Sequence, residues 1–123
     1  MPSLTVVAGP NTGDYYPLGK RTMVIGRDES APVQIVDARA SRRHVQIRFD
    51  EARNSHIATD MKSANGTLVN GRTLFGEIAL VDGDELTIGE SKIAYSVQEF
   101  ADKESALSHF KERGQRAKPT LQQ

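Results

Sequence analysis

Apolar and polar residues alternate along several segments of the chain, most clearly in two of them. The apolar positions are Val45, Ile47 and Phe49 in the first segment and Ile93, Tyr95 and Val97 in the second. A period of two is typical of a β-strand with one buried and one solvated face. Shorter apolar runs of the same kind occur at 4–8, 15–18, 22–25, 33–36, 56–59 and 86–88. Because turn signals such as Asn65-Gly66 separate these short runs, the pattern predicts an all-β sandwich.

The pattern changes after Phe100. Residues 101–113 include no β-branched side chain and are rich in helix formers, with Asp102 as a candidate N-cap and Gly114 in the position of a C-terminal cap. The residues that follow are polar and include Pro119. We therefore expect a sandwich domain over 1–100, followed over 101–123 by a short C-terminal helix and a mobile tail.

Length and composition exclude several classes of protein and of functional site. A length of 123 residues with 37% hydrophobic positions suits one globular core. Sixteen basic residues balance 16 acidic ones, which argues against broad attraction to nucleic acid or an anionic membrane. The absence of cysteine excludes disulfides and thiolate metal sites. No apolar run approaches the ~20 residues of a membrane span and the N-terminus does not resemble a signal peptide, so we expect a cytoplasmic location.

Four groups of polar residues fall in predicted turns. They are Gly26-Arg27, Ser41-Arg42-Arg43-His44, Ser63-Ala64-Asn65-Gly66-Thr67 and Val69-Asn70-Gly71. Each alone has an ordinary explanation: a solvated arginine, a structural histidine or a tight Asn-Gly turn. In this order on an all-β chain, and followed by the Asp82-Gly83-Asp84 turn, they resemble the forkhead-associated (FHA) domain over about residues 4–100.

The resemblance implies a SMAD/FHA-like β-sandwich of about eleven strands whose loops at one end bind a phosphothreonine peptide. Phosphothreonine carries about −1.5 to −2 charges and three strong acceptor oxygens. A planar bidentate donor, a hydroxyl and backbone N–H groups suit such a ligand. By similarity to the family, Arg27 supplies the planar bidentate donor, and Ser41 and Arg42 contact the phosphate. Asn65 binds the peptide main chain by the same resemblance, since an amide both donates and accepts.

Other residues in these motifs have supporting or peripheral roles by the same resemblance. Gly26, His44 and Gly66 shape and brace the loops. Arg43, Ala64 and Asn70 are possible peripheral contacts, with Asn70 also expected to hold loop geometry. Ala64 departs from the Ser or Thr that many relatives carry before the asparagine, which removes one candidate phosphate contact. Arg39 and Arg72 can add to a positive rim.

The sequence thus predicts a phosphothreonine-recognition module, a non-catalytic adaptor in Ser/Thr kinase signalling whose partner is a phosphorylated protein or peptide. We expect no enzyme activity, because Ser41 and His44 lack a third group to orient the histidine. We expect no metal or other cofactor, because His44, His56 and His109 show no ligand spacing. An alternative stays open, a scaffold that uses the same sandwich for phosphate-independent assembly. The sequence leaves the oligomeric state open as well.

Overall fold

The computed structural model describes residues 1–98 and 106–109, and in them eleven strands form two packed sheets, as predicted. The strands are β1 (Ser3–Ala8), β2 (Tyr15–Pro17), β3 (Met23–Gly26), β4 (Val33–Gln34), β5 (Val45–Asp50), β6 (Ser55–Asp60), β7 (Leu68–Val69), β8 (Arg72–Thr73), β9 (Glu77–Ala79), β10 (Glu85–Ile88) and β11 (Ser91–Ser96).

Each sheet contains strands from both halves of the sequence. One has six strands in the order β2-β1-β11-β10-β7-β8, and the other has five in the order β4-β3-β5-β6-β9. The described strands pair antiparallel except β3 and β4, which are parallel. The pairing of β1 with β11, with Leu4 opposite Tyr95, joins the two ends of the sandwich sequence. The first and last strands therefore belong to the same folding unit.

The core lies between the sheets and is mainly aliphatic, with Tyr95 as its buried aromatic residue. Its fully buried members include Leu4, Val6, Ile25, Ile47, Leu86 and Ile93. The alternation predicted for β5 is confirmed at Val45 and Ile47, which are buried, while Gln46 and Arg48 are half-buried. Burial of this apolar surface is the main favourable contribution to folding.

Strand β11 differs from the one-sided strand that its sequence pattern predicts. Ala94 and Ser96, expected on the solvated face, are buried, and Val97, expected on the buried face, lies beyond the strand and is 49% exposed. The strand sits between β1 and β10 inside its sheet, and its residues 93–96 are buried on both faces, while Lys92 is exposed.

A helical turn at 106–109 falls inside the predicted C-terminal helix, and Ala106 in it is fully buried. The other parts of the predicted helix and tail, 101–105 and 110–123, lie outside the described residues. In the part of the chain that is described, no helix has the length and apolarity to cross a membrane.

Strand register brings three loops to one end of the sandwich. Val45, at the start of β5, lies opposite both Ile25 near the end of β3 and Asp60 at the end of β6. Consequently the loop after β3, the loop before β5 (37–44) and the loop after β6 (61–67) meet there. These are the loops that carry the first three polar motifs.

Candidate functional site

Arg27 follows the last residue of β3 and is held by the neighbouring loop. Its backbone N–H donates to the carbonyl oxygen of Ser41 at 2.9 Å, and its side-chain Nε donates to that of Ala40 at 3.0 Å. The side chain is exposed, and its two terminal nitrogens make no hydrogen bond to the described residues. The guanidinium is thus oriented by one donor while its other donors face outward.

Gly26 allows β3 to approach the loop at 37–44 closely. A Cβ atom at this position would overlap the backbone carbonyl of Arg42. Its φ is not in the left-handed region, so the requirement for glycine comes from space rather than from backbone conformation. Gly26 is therefore what permits Arg27 and Arg42 to lie on adjacent segments.

His44 connects the two loops that carry the serine and the asparagine motifs. It is fully buried, and its Nδ1 accepts from the Ser41 N–H at 2.9 Å. Since Nδ1 accepts, the proton lies on Nε2, which donates to the carbonyl oxygen of Gly66 at 2.8 Å. Both ring nitrogens are used within the protein, which is the arrangement of a structural histidine.

The Ser41 hydroxyl is positioned by the opposite loop. Its Oγ accepts the backbone N–H of Ala64 at 3.0 Å. A hydroxyl that accepts one hydrogen bond still has its own proton to donate. Ser41 is half-buried, so that proton can reach a ligand at the surface.

Asn65 stands at the exposed tip of the loop after β6. Its Nδ2 donates to the carbonyl oxygen of Arg39 at 2.9 Å, and its Oδ1 accepts no hydrogen bond from the described residues. Gly66 next to it has φ of +79°, a left-handed conformation that favours glycine. Asn65 therefore presents a fixed amide, and it lines one of two depressions at this end of the sandwich.

The two depressions differ in what lines them. One of about 330 Å³ is lined by Arg27, Asp28, Glu29, Gln34 and Arg42. The other, about 320 Å³, is lined by Arg39, Asn65, Gly66, Leu68, Thr87 and Gly89. Both depressions are open and include residues of the loops described above, and open depressions suit an extended chain better than an enclosed small molecule.

Asp60, whose role the sequence analysis missed, organises the loop after β6. Its carboxylate accepts the Ser63 hydroxyl at 2.6 Å, the Ser63 N–H at 3.0 Å and the Thr67 hydroxyl at 2.7 Å. Burial alone raises the pKa of this carboxyl, but the hydrogen bonds from Ser63 and Thr67 outweigh it and the pKa lies below its usual value. An Asp at a strand end, three residues before a Ser, is a local signal that could have identified this role.

Asp37 is a second missed carboxylate, and it fixes the loop before β5. It is 6% exposed and accepts from the Arg39 N–H at 2.9 Å, the Glu90 N–H at 3.0 Å and the Ser91 hydroxyl at 2.9 Å. Burial opposes ionisation here too, yet these donors hold the pKa below the usual value. Two of the donors are more than 50 residues away in sequence, so no local pattern indicates the contact.

The remaining predicted residues fall into two sets. Arg42, Arg43 and Ala64 are exposed at the same loop end. Asn70 is not available there as a peptide contact, because its amide is bonded within the protein. Its Nδ2 donates to Asp84 at 2.8 Å and its Oδ1 accepts the Glu85 N–H at 2.9 Å. Both ends of its amide are engaged at the turn after β7, which agrees with the loop-holding role.

Histidines elsewhere do not extend the site. His56 is buried and contacts the Tyr95 hydroxyl at 3.0 Å and the Gly19 carbonyl oxygen at 2.8 Å. Burial and the negative charges of Asp82 and Asp84 raise the pKa of Tyr95 to about 12, so its protonated hydroxyl donates to His56. Among the described residues, no three His, Asp or Glu side chains form a cluster that could hold a metal.

Comparison with known proteins identifies the family. The FHA domain model matches residues 23–89, and the chain belongs to the FHA domain family. It is 35% identical over 91 residues to the FHA domain-containing protein FhaA of Mycobacterium tuberculosis, covering 74% of this chain and 17% of FhaA. It is 33% identical over 92 residues to the glycogen accumulation regulator GarA of the same species, covering 75% of this chain and 55% of GarA. The chain thus spans less than two thirds of the length of either relative.

A solved structure supports the same assignment. The chain superimposes on a domain studied for phosphothreonine-dependent FHA domain interactions, with a TM-score of 0.70 and 31% identity over 80% of this chain and 98% of that one. The match includes strands that lie outside the 23–89 segment, since it covers four fifths of the chain. The FHA fold thus extends over nearly all of the described sandwich.

Proposed function

We propose that this chain is a phosphothreonine-recognition module that binds phosphorylated proteins or peptides at the loop end of the sandwich. The observation that carries the proposal is the convergence of Arg27, Ser41 and Asn65 from three different loops. Each of these side chains is tied to the protein by one hydrogen bond and keeps further polar atoms at the surface. We assign the module to residues 1–100.

In this proposal the phosphate lies between Arg27 and Ser41. The outward nitrogens of Arg27 donate to two phosphate oxygens, and the Ser41 hydroxyl donates to a third. Arg42 lines the same depression as Arg27 and adds its positive charge there. Charge-assisted hydrogen bonds of this kind are about twice as strong as neutral ones, so the phosphate dominates the affinity.

Asn65 binds the peptide main chain next to the phosphothreonine. Its unused Oδ1 accepts a main-chain N–H, which fixes an extended peptide in register without specifying its sequence. Arg43 and Ala64 lie at the periphery of this path. His44, Gly26 and Gly66 contribute by shape and by loop connection rather than by contact.

The biological role that follows is that of a non-catalytic adaptor in Ser/Thr kinase signalling. A similar protein is named a regulator, and a similar domain has phosphothreonine-dependent interactions, which supports the proposal without assigning a partner. A cytoplasmic location fits this role, since Ser/Thr kinases draw phosphate from cytoplasmic ATP. Phosphate-independent scaffolding is the alternative that the following experiment separates.

The test is a calorimetric titration with phosphothreonine peptides, selected from an oriented library, and with their unphosphorylated twins. We expect binding only to the phosphorylated peptide, and a loss of about a hundredfold or more in Arg27→Ala, because two hydrogen bonds to a charged group, each worth ~1.5–3 kcal/mol, are removed together. Arg53→Ala is the matched control, since Arg53 is an exposed arginine in the loop between β5 and β6. Equal affinity for both twins, or an Arg27→Ala variant that binds like the control, contradicts the proposal.

A further inference from the structure

Arg39 is an exposed cation at the loop end whose guanidinium has no partner among the described residues, either by hydrogen bond or by ion pair. Its backbone, in contrast, is fixed at both polar groups. The N–H donates to Asp37 at 2.9 Å, and the carbonyl oxygen accepts from Asn65 Nδ2 at 2.9 Å. Arg39 therefore presents its charge from a rigid base, and none of the phosphopeptide contacts proposed above uses that charge.

The segment 39–41 places this charge close to the proposed phosphate site. While the carbonyl oxygen of Arg39 bonds to Asn65, the next two carbonyl oxygens, of Ala40 and Ser41, bond to Arg27 at 3.0 and 2.9 Å. The side chain of Arg39 lines the depression that also includes Asn65 and not the one that includes Arg27. A peptide whose phosphate lies between Arg27 and Ser41 and whose main chain bonds to Asn65 therefore passes Arg39.

The two depressions at this end differ in charge. Arg39 is the one charged residue among those that line the depression of about 320 Å³. The lining of the other, about 330 Å³, includes two carboxylates, Asp28 and Glu29, and its two arginines are already assigned to the phosphate. Hydrogen bonds from the Ser30 N–H and hydroxyl lower the pKa of Asp28, so it is ionised at neutral pH. A second negative charge on the ligand is consequently attracted at Arg39 and repelled at the carboxylates.

No carboxylate of the protein neutralises Arg39 in the part of the chain that is described. The turn between β10 and β11 packs against the base of the arginine, because a Cβ atom on Gly89 would overlap the side chains of Asp37 and Arg39. Asp37 directs its oxygens to backbone N–H groups and to the Ser91 hydroxyl. Glu90 is exposed and makes no ion pair with Arg39. The guanidinium thus remains available to a ligand.

We propose that Arg39 selects phosphothreonine peptides that carry a second anionic group in the stretch that crosses Asn65. This inference rests on the proposed function, since it takes the phosphothreonine to lie at Arg27 and Ser41. The anionic group is a carboxylate of Asp or Glu or a second phosphate, because a guanidinium binds both in the same bidentate geometry.

The distance along the chain limits where that group lies in the peptide. The Cα atoms of Arg39 and Ser41 are two residues apart, at most ~7 Å, and the arginine side chain extends further. An extended peptide advances ~3.3 Å per residue. The second anionic group therefore lies about two to four residues from the phosphothreonine, in one direction along the peptide.

The test is calorimetry of the full chain with one phosphothreonine peptide in which each neutral residue, from four positions before the phosphothreonine to four after it, is replaced in turn by aspartate or phosphoserine. We expect affinity to rise about three- to tenfold at one or two positions on one side only, as a partly exposed bidentate ion pair provides. Elsewhere affinity should stay level or fall. A larger gain from phosphoserine than from aspartate assigns a doubly phosphorylated partner, and an equal or smaller gain assigns an acidic one.

Substitutions of Arg39 attribute the gain to its guanidinium. The measured quantity is the ratio of the affinities for the aspartate peptide and the neutral peptide. This ratio should fall to about one in Arg39→Ala and be partly kept in Arg39→Lys, which retains the charge but not the bidentate geometry. In Arg39→Glu a lysine peptide should bind more tightly than the aspartate peptide. Arg53→Glu, a charge change of the same size at the opposite end of the β5–β6 hairpin, should keep the wild-type ratio.

Two kinds of failure can be told apart. Phosphorylation-dependent binding that is indifferent to aspartate at every position, or a gain that survives in Arg39→Ala, overturns this proposal and leaves the phosphothreonine site in place. Equal binding of the phosphorylated peptide and its unphosphorylated twin contradicts the proposed function itself, and this proposal with it.

Discussion

Asp60 shows how a single carboxylate sets the shape of a loop in this protein. It accepts three hydrogen bonds from Ser63 and Thr67, and the loop so formed presents the Ala64 N–H to Ser41. Asn65 and Gly66 lie in the same loop. Asp60 need not contact a ligand itself, yet it fixes the loop whose residues we propose to contact one.

We predict that Asp60→Asn destabilises the protein by about 2–3 kcal/mol at neutral pH, because hydrogen bonds to a charged acceptor are lost and the new amide faces donors. The pKa of Asp60 is lower in the folded chain than in the unfolded one. Its contribution is therefore fully present above the unfolded value of about 4 and is lost as pH falls through the folded value. The difference between wild type and Asp60→Asn in urea denaturation should accordingly shrink from pH 7 to pH 3.

Glu29→Gln is the control for this prediction, because Glu29 is exposed and makes no ion pair within the described residues. It should leave the unfolding free energy within about 0.5 kcal/mol of wild type at neutral pH. A gap between wild type and Asp60→Asn that is as large at pH 3 as at pH 7 would show that the charge of Asp60 does not stabilise the loop.

At the scale of elements, the close approach of β3 to the loop at 37–44 depends on Gly26. We predict that Gly26→Ala lowers the free energy of unfolding by about 1–3 kcal/mol or more, since the added methyl group overlaps backbone that cannot move independently. The displaced loop also carries Ser41, so phosphopeptide affinity should fall. Urea denaturation and calorimetry on the same samples measure both effects.

Gly19→Ala is the matched variant. Gly19 has φ of +65° and open space where a Cβ atom would lie, so alanine there meets conformational strain of ~1–2 kcal/mol and no overlap. It should lose some stability and keep its phosphopeptide affinity. If Gly26→Ala binds as well as Gly19→Ala, the close approach is not what positions the site.

Element prediction from the sequence was strongest where strands are long. The alternating runs at 45–49 and 92–98 correspond to β5 and β11, whose central residues are enclosed by neighbouring strands. Strands β7, β8 and β9 have only two or three residues each and gave no periodic signal. Strands β2 and β4 are as short but lie within longer apolar runs that were predicted, whereas β7, β8 and β9 do not, and the expected number of eleven strands came from the family resemblance.

At the scale of the whole molecule, the sequence motifs identified which residues meet but not how they are held. Arg27, Ser41 and Asn65 were identified because the family order of motifs is local in sequence. The bond from Asp37 to Ser91 joins distant parts of the chain, and neither residue has an unusual neighbour to reveal it. Long-range polar contacts of this kind depend on strand register, which a single sequence does not specify.

Charge balance over the whole chain leads to the last prediction. With 16 basic and 16 acidic residues, the protein has no net charge to attract a phosphopeptide from a distance, so binding rests on contacts at the loop end. We expect a rise from 0.05 to 0.5 M NaCl to weaken phosphopeptide binding by less than about tenfold, because contact pairs lie well inside a screening length that falls from roughly 14 to 4 Å. Arg53→Glu, which changes the net charge by two at a position in the loop between β5 and β6, should alter affinity by less than about twofold at the lower salt concentration. Calorimetry across the salt series, with both proteins and one peptide, measures this. A hundredfold or greater loss of affinity across the salt series, or a strong effect of Arg53→Glu on affinity, would mean that the electrostatic field of the whole molecule, rather than the contacts around Arg27, determines binding.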